Sequence, residues 1–172
     1  RDEELGYRTL LVSSDKDCYQ LCSELTHVVT TRKGITDVAL YGPGEVRERY
    51  GVEPSQFPDF LGLKGDSSDN IPGVPGVGDK TAAKLLGAYG SLEGIYEHIH
   101  QLPRHQQDRL YENRDAAFPS HKVATILRAL DIPLYLCGAP FPALTAQPLT
   151  DAFSHPPFHP PPPPLPHLLA QP

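Results

Sequence analysis

Proline is distributed so unevenly along the chain that it decides which part can fold. Of the 20 prolines, 12 lie in residues 139–172, a segment with one acidic residue, Asp151. Proline has no backbone N–H and a fixed φ angle, so a run such as HPPFHPPPPPLP forms neither helix nor sheet. We therefore expect a disordered, Pro-rich tail over residues 137–172. Residues 1–136 are enough for a domain with a hydrophobic core.

The sequence excludes a membrane-spanning protein and shows no secretory signal. No apolar run approaches the ~20 residues that a membrane-spanning helix needs, so we expect no membrane protein. The first residues, RDEELGYR, lack the apolar segment of a secretory signal. Met is missing throughout, even at position 1, and we expect a fragment or a processed product.

Cysteine usage and net charge indicate the surroundings of the protein. Cys18, Cys22 and Cys137 are odd in number and form no CxxC pair. We expect reduced thiols in an intracellular, reducing compartment: cytoplasm, nucleoid or an organelle. The net charge of −6 argues against a nucleic-acid partner, unless clustered carboxylates hold cations that neutralise them.

Residues 1–42 have the pattern of an α/β unit. An aliphatic run over 8–14 and the run HVVTT over 27–31 predict two strands. Between them, residues 15–25 place Cys18, Leu21, Cys22 and Leu25 at helical spacing, which predicts a helix. The sequence RKG followed by ITDVALY predicts a hairpin or a bent connection.

Residues 43–136 are helical in character. The pattern predicts a two-turn helix from Pro43 to Gly51, a helix around Phe57–Leu61, and a helix from Gly78 to Gly90, with Ser91 capping the next one. Weaker helical patterns cover 103–115 and 118–130, the second interrupted by Pro119.

Asp15 and Asp17 directly follow the first predicted strand. Carboxylates at the carboxyl end of a strand can point into one crevice, where α/β proteins bind ligands. Their oxygens suit Mg²⁺ or Mn²⁺. The alternative is that they cap the following helix, and taken alone the pair favours capping.

A second pair, Asp66 and Asp69, lies in the segment GDSSDN over residues 65–70. Gly65 and the small hydroxyl residues leave room for both carboxylates to approach one cation. The alternative is a polar turn between two helices, which the pair taken alone favours.

The segment PGVPGVGDKTAAKLL, residues 72–86, is the most specific pattern in the chain. Gly73, Gly76 and Gly78 allow tight turns, and a helix begins just after them. Exposed amides at that helix start, with the side chains of Lys80, Thr81 and Lys84 near them, predict a phosphate-binding helix-hairpin-helix. A nucleotide-binding loop is excluded because no strand precedes the glycines and GxxxxGK[ST] is absent. A bare turn with glycine caps stays open.

The order and spacing of these motifs resemble the 5′ nuclease domain of bacterial DNA polymerase I, a branch of the flap endonuclease family. The resemblance covers roughly residues 5–136 and is most specific between 10 and 95. It implies an α/β fold: a partial parallel sheet of a PIN-like 5′ nuclease domain over 1–42, then an all-α helix-hairpin-helix subdomain over 43–136. The tail is outside the family pattern.

The resemblance also implies an activity and a site. It implies a 5′-3′ DNA exonuclease and flap-specific endonuclease of replication and repair, with two Mg²⁺ or Mn²⁺ ions. The positions that match the family's metal ligands are Asp15, Asp17, Asp66 and Asp69. Gly73, Gly76, Gly78, Lys80, Thr81 and Lys84 match the segment that holds the DNA backbone, where hairpin carbonyls bind K⁺.

The family's first metal-binding Asp and its basic arch have no counterpart in this chain. We therefore expect an incomplete two-metal site and weak nuclease activity from these 172 residues alone. The alternative function is a non-catalytic DNA-binding module that uses only the helix-hairpin-helix. We expect a monomer that binds 5′ ends, flaps and nicked or branched duplexes without base specificity.

Overall fold

A computed structural model describes residues 3, 4, 6–33, 37–128 and 130. The chain divides into two units, Arg1–Arg128 and Ala129–Pro172, and the fold below is that of the first. The tail predicted over 137–172, with Cys137, lies outside the described residues.

The sheet consists of strands β1 (Thr9–Val12), β2 (Thr26–Lys33) and β3 (Asp37–Tyr41), in that spatial order. β1 and β2 are parallel, with Leu11 opposite Val28. β2 and β3 are antiparallel, with Val28 opposite Tyr41. The predicted strands are confirmed, and the parallel part of the sheet is the β1–β2 pair. Val28 and Tyr41 are buried, so this row of the sheet faces the core.

The connection between β1 and β2 is shorter than predicted. It contains a 3₁₀ helix over Lys16–Leu21, and the prediction of a helix over residues 15–25 is wrong beyond Leu21. The helix ends because Ser23 Oγ accepts hydrogen bonds from the backbone N–H groups of Leu25 and Thr26, at 3.1 and 2.9 Å. This turn directs the chain into β2, so Leu25 does not continue the apolar stripe.

In the described residues after the sheet, the chain forms six α-helices. They are α1 (Pro43–Tyr50), α2 (Phe57–Lys64), α3 (Asp79–Tyr89), α4 (Leu92–Glu97), α5 (Arg104–Glu112) and α6 (Arg114–Ala124). Short 3₁₀ turns cover Pro54–Gln56 and Ile99–Gln101. Within the described part of the chain, no helix has the length and apolar character of a membrane span.

Helix α2 lies at the centre of the core, since every residue from Phe57 to Leu63 is buried. An aromatic cluster packs its first turn against the 3₁₀ helix and the sheet. Tyr19 contacts the Tyr41 ring at 4.7 Å and the Phe57 ring at 5.5 Å between centroids. Pro58 lies in the first turn of α2, where its missing N–H costs no helical bond. The core therefore fixes the 3₁₀ helix relative to α2.

The last two helices differ from the predicted ranges. α5 ends at Glu112 instead of residue 115, and α6 covers Arg114–Ala124 instead of residues 118–130. Pro119 lies inside α6, where it removes one backbone N–H. Burial of Ala117, Ser120 and Ala124 compensates this loss. A Cβ on Gly62 would lie 2.9 Å from the Cβ of His121, so glycine in α2 permits the close approach of α6.

Candidate functional site

The first two acidic residues lie where the sequence predicts them, just beyond the carboxyl end of β1. Asp15 is the N-cap of the 3₁₀ helix, and its Oδ1 accepts from the Asp17 backbone N–H at 2.9 Å. Capping is therefore one role of Asp15. Because Asp17 lies in the first turn, its carboxylate projects from the same end of this helix.

Asp69 belongs to a loop that a β-bridge closes at its base. Asp66 and Ile71 exchange two backbone hydrogen bonds, at 2.9 and 2.8 Å, around residues 67–70. Asn70 has a φ of 56°, in the left-handed region that Asn tolerates better than most residues. The closed loop holds Asp69 on the side of the 3₁₀ helix.

Three carboxylates converge at this point. One oxygen each from Asp15, Asp17 and Asp69 lies within 4.8 Å of the others. Asp15 and Asp69 are exposed and Asp17 is half-buried. Oxygen ligands at such spacing are the type that hard divalent cations take.

Asp17 is the half-buried member of this cluster. Its Oδ1 is buried and has no hydrogen-bond partner. Burial, together with the charges of Asp15, Asp69 and Asp66, raises the pKa of Asp17 to about 6, while Lys16 opposes this shift. A buried carboxylate oxygen without a donor among like charges fits a cation ligand, and these residues fit Mg²⁺ or Mn²⁺.

Asp66 has a different environment from the other three. Its Oδ2 accepts from Lys16 Nζ at 3.1 Å, and its Oδ1 accepts from the Ser68 backbone N–H at 2.9 Å and from the Ser68 hydroxyl. Burial acts against these bonds, but together they lower the pKa of Asp66. The structure thus brings Asp15, Asp17 and Asp69 together and pairs Asp66 with a lysine.

Lys16 is the residue at this cluster that sequence reasoning missed. Its ammonium group joins the 3₁₀ helix to the Asp66 loop and lies among the carboxylates. Its place between Asp15 and Asp17 in the sequence is the only signal that could have indicated it. The partner, 50 residues further along the chain, is set by the fold.

The hairpin over residues 72–78 makes two turns before α3. Gly73 and Gly76 have φ angles of 61° and 80°, which favour glycine. Gly78 is the N-cap of α3 with φ −97°, and a Cβ there would meet no atom within 4 Å. Gly76 and Gly78 are exposed, whereas Gly73 is buried. The predicted helix from Gly78 to Gly90 is confirmed.

The other predicted DNA-binding residues lie on the first turns of α3. Lys80 and Lys84 are exposed and Thr81 is half-buried. Asp79, at the start of α3, pairs with Lys64 at 2.9 Å. The hairpin and α3 also border a cavity of about 140 Å³ against α5.

Arg109, on α5, is a second residue that the sequence did not indicate. Its Nη1 donates to the Gly76 carbonyl at 3.4 Å, and a Cβ on Gly76 would lie 2.6 Å from Nη1. The guanidinium therefore lies against the exposed turn. Its 33-residue distance from Gly76 along the chain explains why no local pattern shows it.

Comparisons with known proteins confirm the resemblance seen in the sequence. A family model described as "5'-3' exonuclease, C-terminal SAM fold" matches residues 52–143. DNA polymerase I of Bacillus subtilis is 46% identical over 137 residues, which are 79% of this chain and 16% of that protein. DNA polymerase I of Mycobacterium tuberculosis is 40% identical over 132 residues, or 77% of this chain and 14% of that protein. The chain thus spans about a sixth of these relatives.

Two solved structures of bacteriophage T5 proteins share the fold. The T5 5′-exonuclease with bound zinc aligns with a TM-score of 0.61 and 22% identity, over 72% of this chain and 45% of that chain. A T5 flap endonuclease variant, in a pseudo-enzyme-product complex with DNA and metal ions, aligns with a TM-score of 0.62 and 21% identity. This alignment covers 72% of this chain and 44% of that chain.

Proposed function

The chain belongs to the 5′-3′ exonuclease family with the C-terminal SAM fold, and on this premise we propose that it is part of a metal-dependent DNA nuclease. The reaction is hydrolysis of phosphodiester bonds near 5′ ends and at 5′ flaps, in DNA replication and repair. This chain contributes carboxylates of the metal site and the hairpin that holds the DNA backbone.

The observation that carries this proposal is the convergence of Asp15, Asp17 and Asp69, one of which, Asp17, has a buried carboxylate oxygen without a hydrogen-bond partner. These three side chains would hold a divalent cation, Mg²⁺ or Mn²⁺. When bound, such a cation supplies Lewis-acid stabilisation of phosphate oxygens. Asp66 would serve the second metal position that the family resemblance implies. Without a metal ion, Lys16 balances the charge of Asp66.

The hairpin supports the DNA-binding part of the proposal. Exposed Gly76 and Gly78 leave the start of α3 open to a phosphate, and Lys80, Thr81 and Lys84 lie on its first turns. Gly73 sets the preceding turn. Contacts of this kind reach the backbone and not base edges, so binding is independent of sequence. A K⁺ ion on the hairpin carbonyls would strengthen the same contact.

The oligomeric state, the preferred DNA structures and the compartment are also part of this proposal. The protein acts as a monomer on 5′ ends, flaps and nicked or branched duplexes. Free Cys18 and Cys22 support a reducing, intracellular compartment.

A calorimetric titration of the 172-residue chain with Mn²⁺ tests the metal site. We expect saturable binding that Asp69→Asn weakens at least tenfold, since it removes a direct ligand. Asp108→Asn, an exposed carboxylate paired with Arg104, is the control and leaves binding unchanged. The same protein is tested for binding to branched DNA. DNA binding without Mn²⁺ binding would replace the nuclease proposal by the non-catalytic DNA-binding module, and failure to bind either would overturn both.

A further inference from the structure

Gln20 is a buried residue outside the carboxylate cluster, and both its amide nitrogen and its amide oxygen form hydrogen bonds. It is 3% exposed. Its Nε2 donates to the Asp17 carbonyl at 2.9 Å and to the Ala124 carbonyl at 2.8 Å. Its Oε1 accepts from the Ile126 backbone N–H at 3.0 Å. The amide therefore has two donated bonds and one accepted bond, all to main-chain atoms.

These bonds join two distant parts of the chain. Asp17 lies at the start of the 3₁₀ helix, whereas Ala124 is the last residue of α6. Arg128 also donates to the backbone carbonyl of Gln20, so the segment after α6 contacts both the main chain and the side chain of this residue. The side chain of Gln20 thus attaches the 3₁₀ helix to the end of α6.

Asp17 needs such an attachment because its own surroundings act to displace it. Its carboxylate lies among like charges, and its buried oxygen has no donor. A 3₁₀ helix of six residues has weaker hydrogen-bond geometry than an α-helix and resists displacement poorly. The Gln20 amide fixes the Asp17 carbonyl, and with it the backbone from which the Asp17 side chain extends.

We propose that Gln20 is a positioning residue of the metal site: it holds the Asp17 backbone so that the Asp17 carboxylate stays within ligand distance of Asp15 and Asp69. This proposal rests on the proposed function, because it assumes that the cluster binds a divalent cation. Gln20 contacts neither the cation nor DNA and acts through Asp17. In this role it resembles the hydrogen-bonding partners behind metal ligands, whose loss weakens metal binding.

The test compares Gln20→Met with a matched variant, Gln56→Met. Gln56 makes the same set of bonds elsewhere: its Nε2 donates to the carbonyls of Leu86 and Gly90, and its Oε1 accepts from the Glu53 backbone N–H. Methionine keeps the length and removes all three bonds. The dissociation constant for Mn²⁺ is measured by calorimetry on each 172-residue chain, at a temperature where melting curves show it folded.

We expect Gln20→Met to raise the Mn²⁺ dissociation constant by roughly 10- to 100-fold, and Gln56→Met to leave it within about twofold while lowering the melting temperature. If Gln20→Met does not fold, Gln20→Asn replaces it, because its shorter amide cannot reach both Asp17 and Ala124. Unchanged Mn²⁺ affinity in the folded Gln20 variant overturns the proposal and leaves Gln20 a structural residue. Absence of Mn²⁺ binding by the parent chain overturns the metal site itself, which is a separate result.

Discussion

A Cβ on Gly73 would lie 2.2 Å from the backbone nitrogen of Gly65, so these two glycines meet backbone to backbone. Gly65 opens the loop that carries Asp69, and Gly73 opens the hairpin before α3. Their contact, with the Val74 N–H donating to the Leu63 carbonyl at 2.7 Å, joins the two segments directly. The loop that carries the proposed ligand Asp69 and the hairpin of the proposed DNA contacts therefore share one junction.

Gly73→Ala should destabilise the fold strongly. The added Cβ meets backbone atoms, which cannot rotate away, and the φ of 61° is unfavourable for alanine. Strain and overpacking together predict a loss of about 2–5 kcal/mol in the free energy of unfolding, measured in urea. Gly87→Ala is the control: Gly87 lies within α3 with no atom within 4 Å of a Cβ. The Gly87→Ala variant should have a free energy of unfolding about 0.5–1 kcal/mol higher than the parent. Equal stability of Gly73→Ala and the parent would contradict the close contact.

Local patterns predicted the fold wherever one stretch of chain carries its own start and stop signals. Pro43 and Gly51 bound α1, and Gly78 and Gly90 bound α3, as the sequence predicts. The two errors have different causes, one a local side-chain turn and the other a long-range packing contact. The side chain of Ser23 ends the 3₁₀ helix by binding the backbone at the start of β2, and packing against α2 keeps α6 helical through Pro119. Neither effect has a periodic signal.

The candidate site divides in the same way. Asp15, Asp17 and Asp69 could be predicted because their motifs are local and the family resemblance relates one motif to the other. The Lys16–Asp66 pair could not, since side chains 50 residues apart meet only in the folded chain. Gln20 and Arg109 bind backbone carbonyls, which any residue provides, so no sequence pattern identifies their partners.

Asp17→Asn should make the metal-free protein more stable. Without a cation, three carboxylates repel one another, and burial of Asp17 adds to this cost. We expect the melting temperature without metal to rise by roughly 2–4 °C, the shift that about 1 kcal/mol gives in a domain of this size. Saturating Mn²⁺ should raise the melting temperature of the parent and leave that of the variant nearly unchanged. A variant that melts below the parent without metal would show that the Asp17 carboxylate stabilises the fold.

Asp59 should make stability depend on pH. It is buried in α2, accepts from the Leu92 N–H at 2.9 Å and lies 3.7 Å from His121 Nε2. Burial raises the pKa of Asp59 despite that hydrogen bond and His121. The folded state therefore holds the proton to higher pH than the unfolded state, whose Asp pKa is about 3.9. Its contribution to stability is present below pH 4 and is lost as pH rises through the raised pKa.

Asp59→Asn separates this effect from those of other carboxyl groups. The amide oxygen still accepts from Leu92, but the group no longer ionises. In urea unfolding between pH 4 and pH 7, the free energy of unfolding of the variant should increase relative to that of the parent as pH rises. A constant difference between the two proteins across this range would exclude Asp59 as the cause.

Lys80→Ala should weaken DNA binding without affecting stability, because Lys80 is exposed on the first turn of α3. Loss of one phosphate contact weakens binding equally on unrelated duplexes and reduces the slope of log affinity against log salt by about 0.9. Gly76→Val should weaken binding further, since its side chain would meet Arg109 and the φ of 80° penalises a β-branched residue. Fluorescence anisotropy on two duplexes at several salt concentrations measures both effects, with a melting curve for each variant.

Lys122→Ala provides the matched control for charge, because Lys122 is an exposed lysine on α6 and belongs neither to the hairpin nor to α3. It removes the same charge from the molecule, so a general electrostatic effect would change both lysine variants alike. A contact at the hairpin changes Lys80→Ala alone. If the turn is purely structural, Gly76→Val lowers the melting temperature while affinity per folded molecule stays constant. Lys80→Ala that binds both duplexes like the parent at every salt concentration would remove this lysine from the DNA-binding surface.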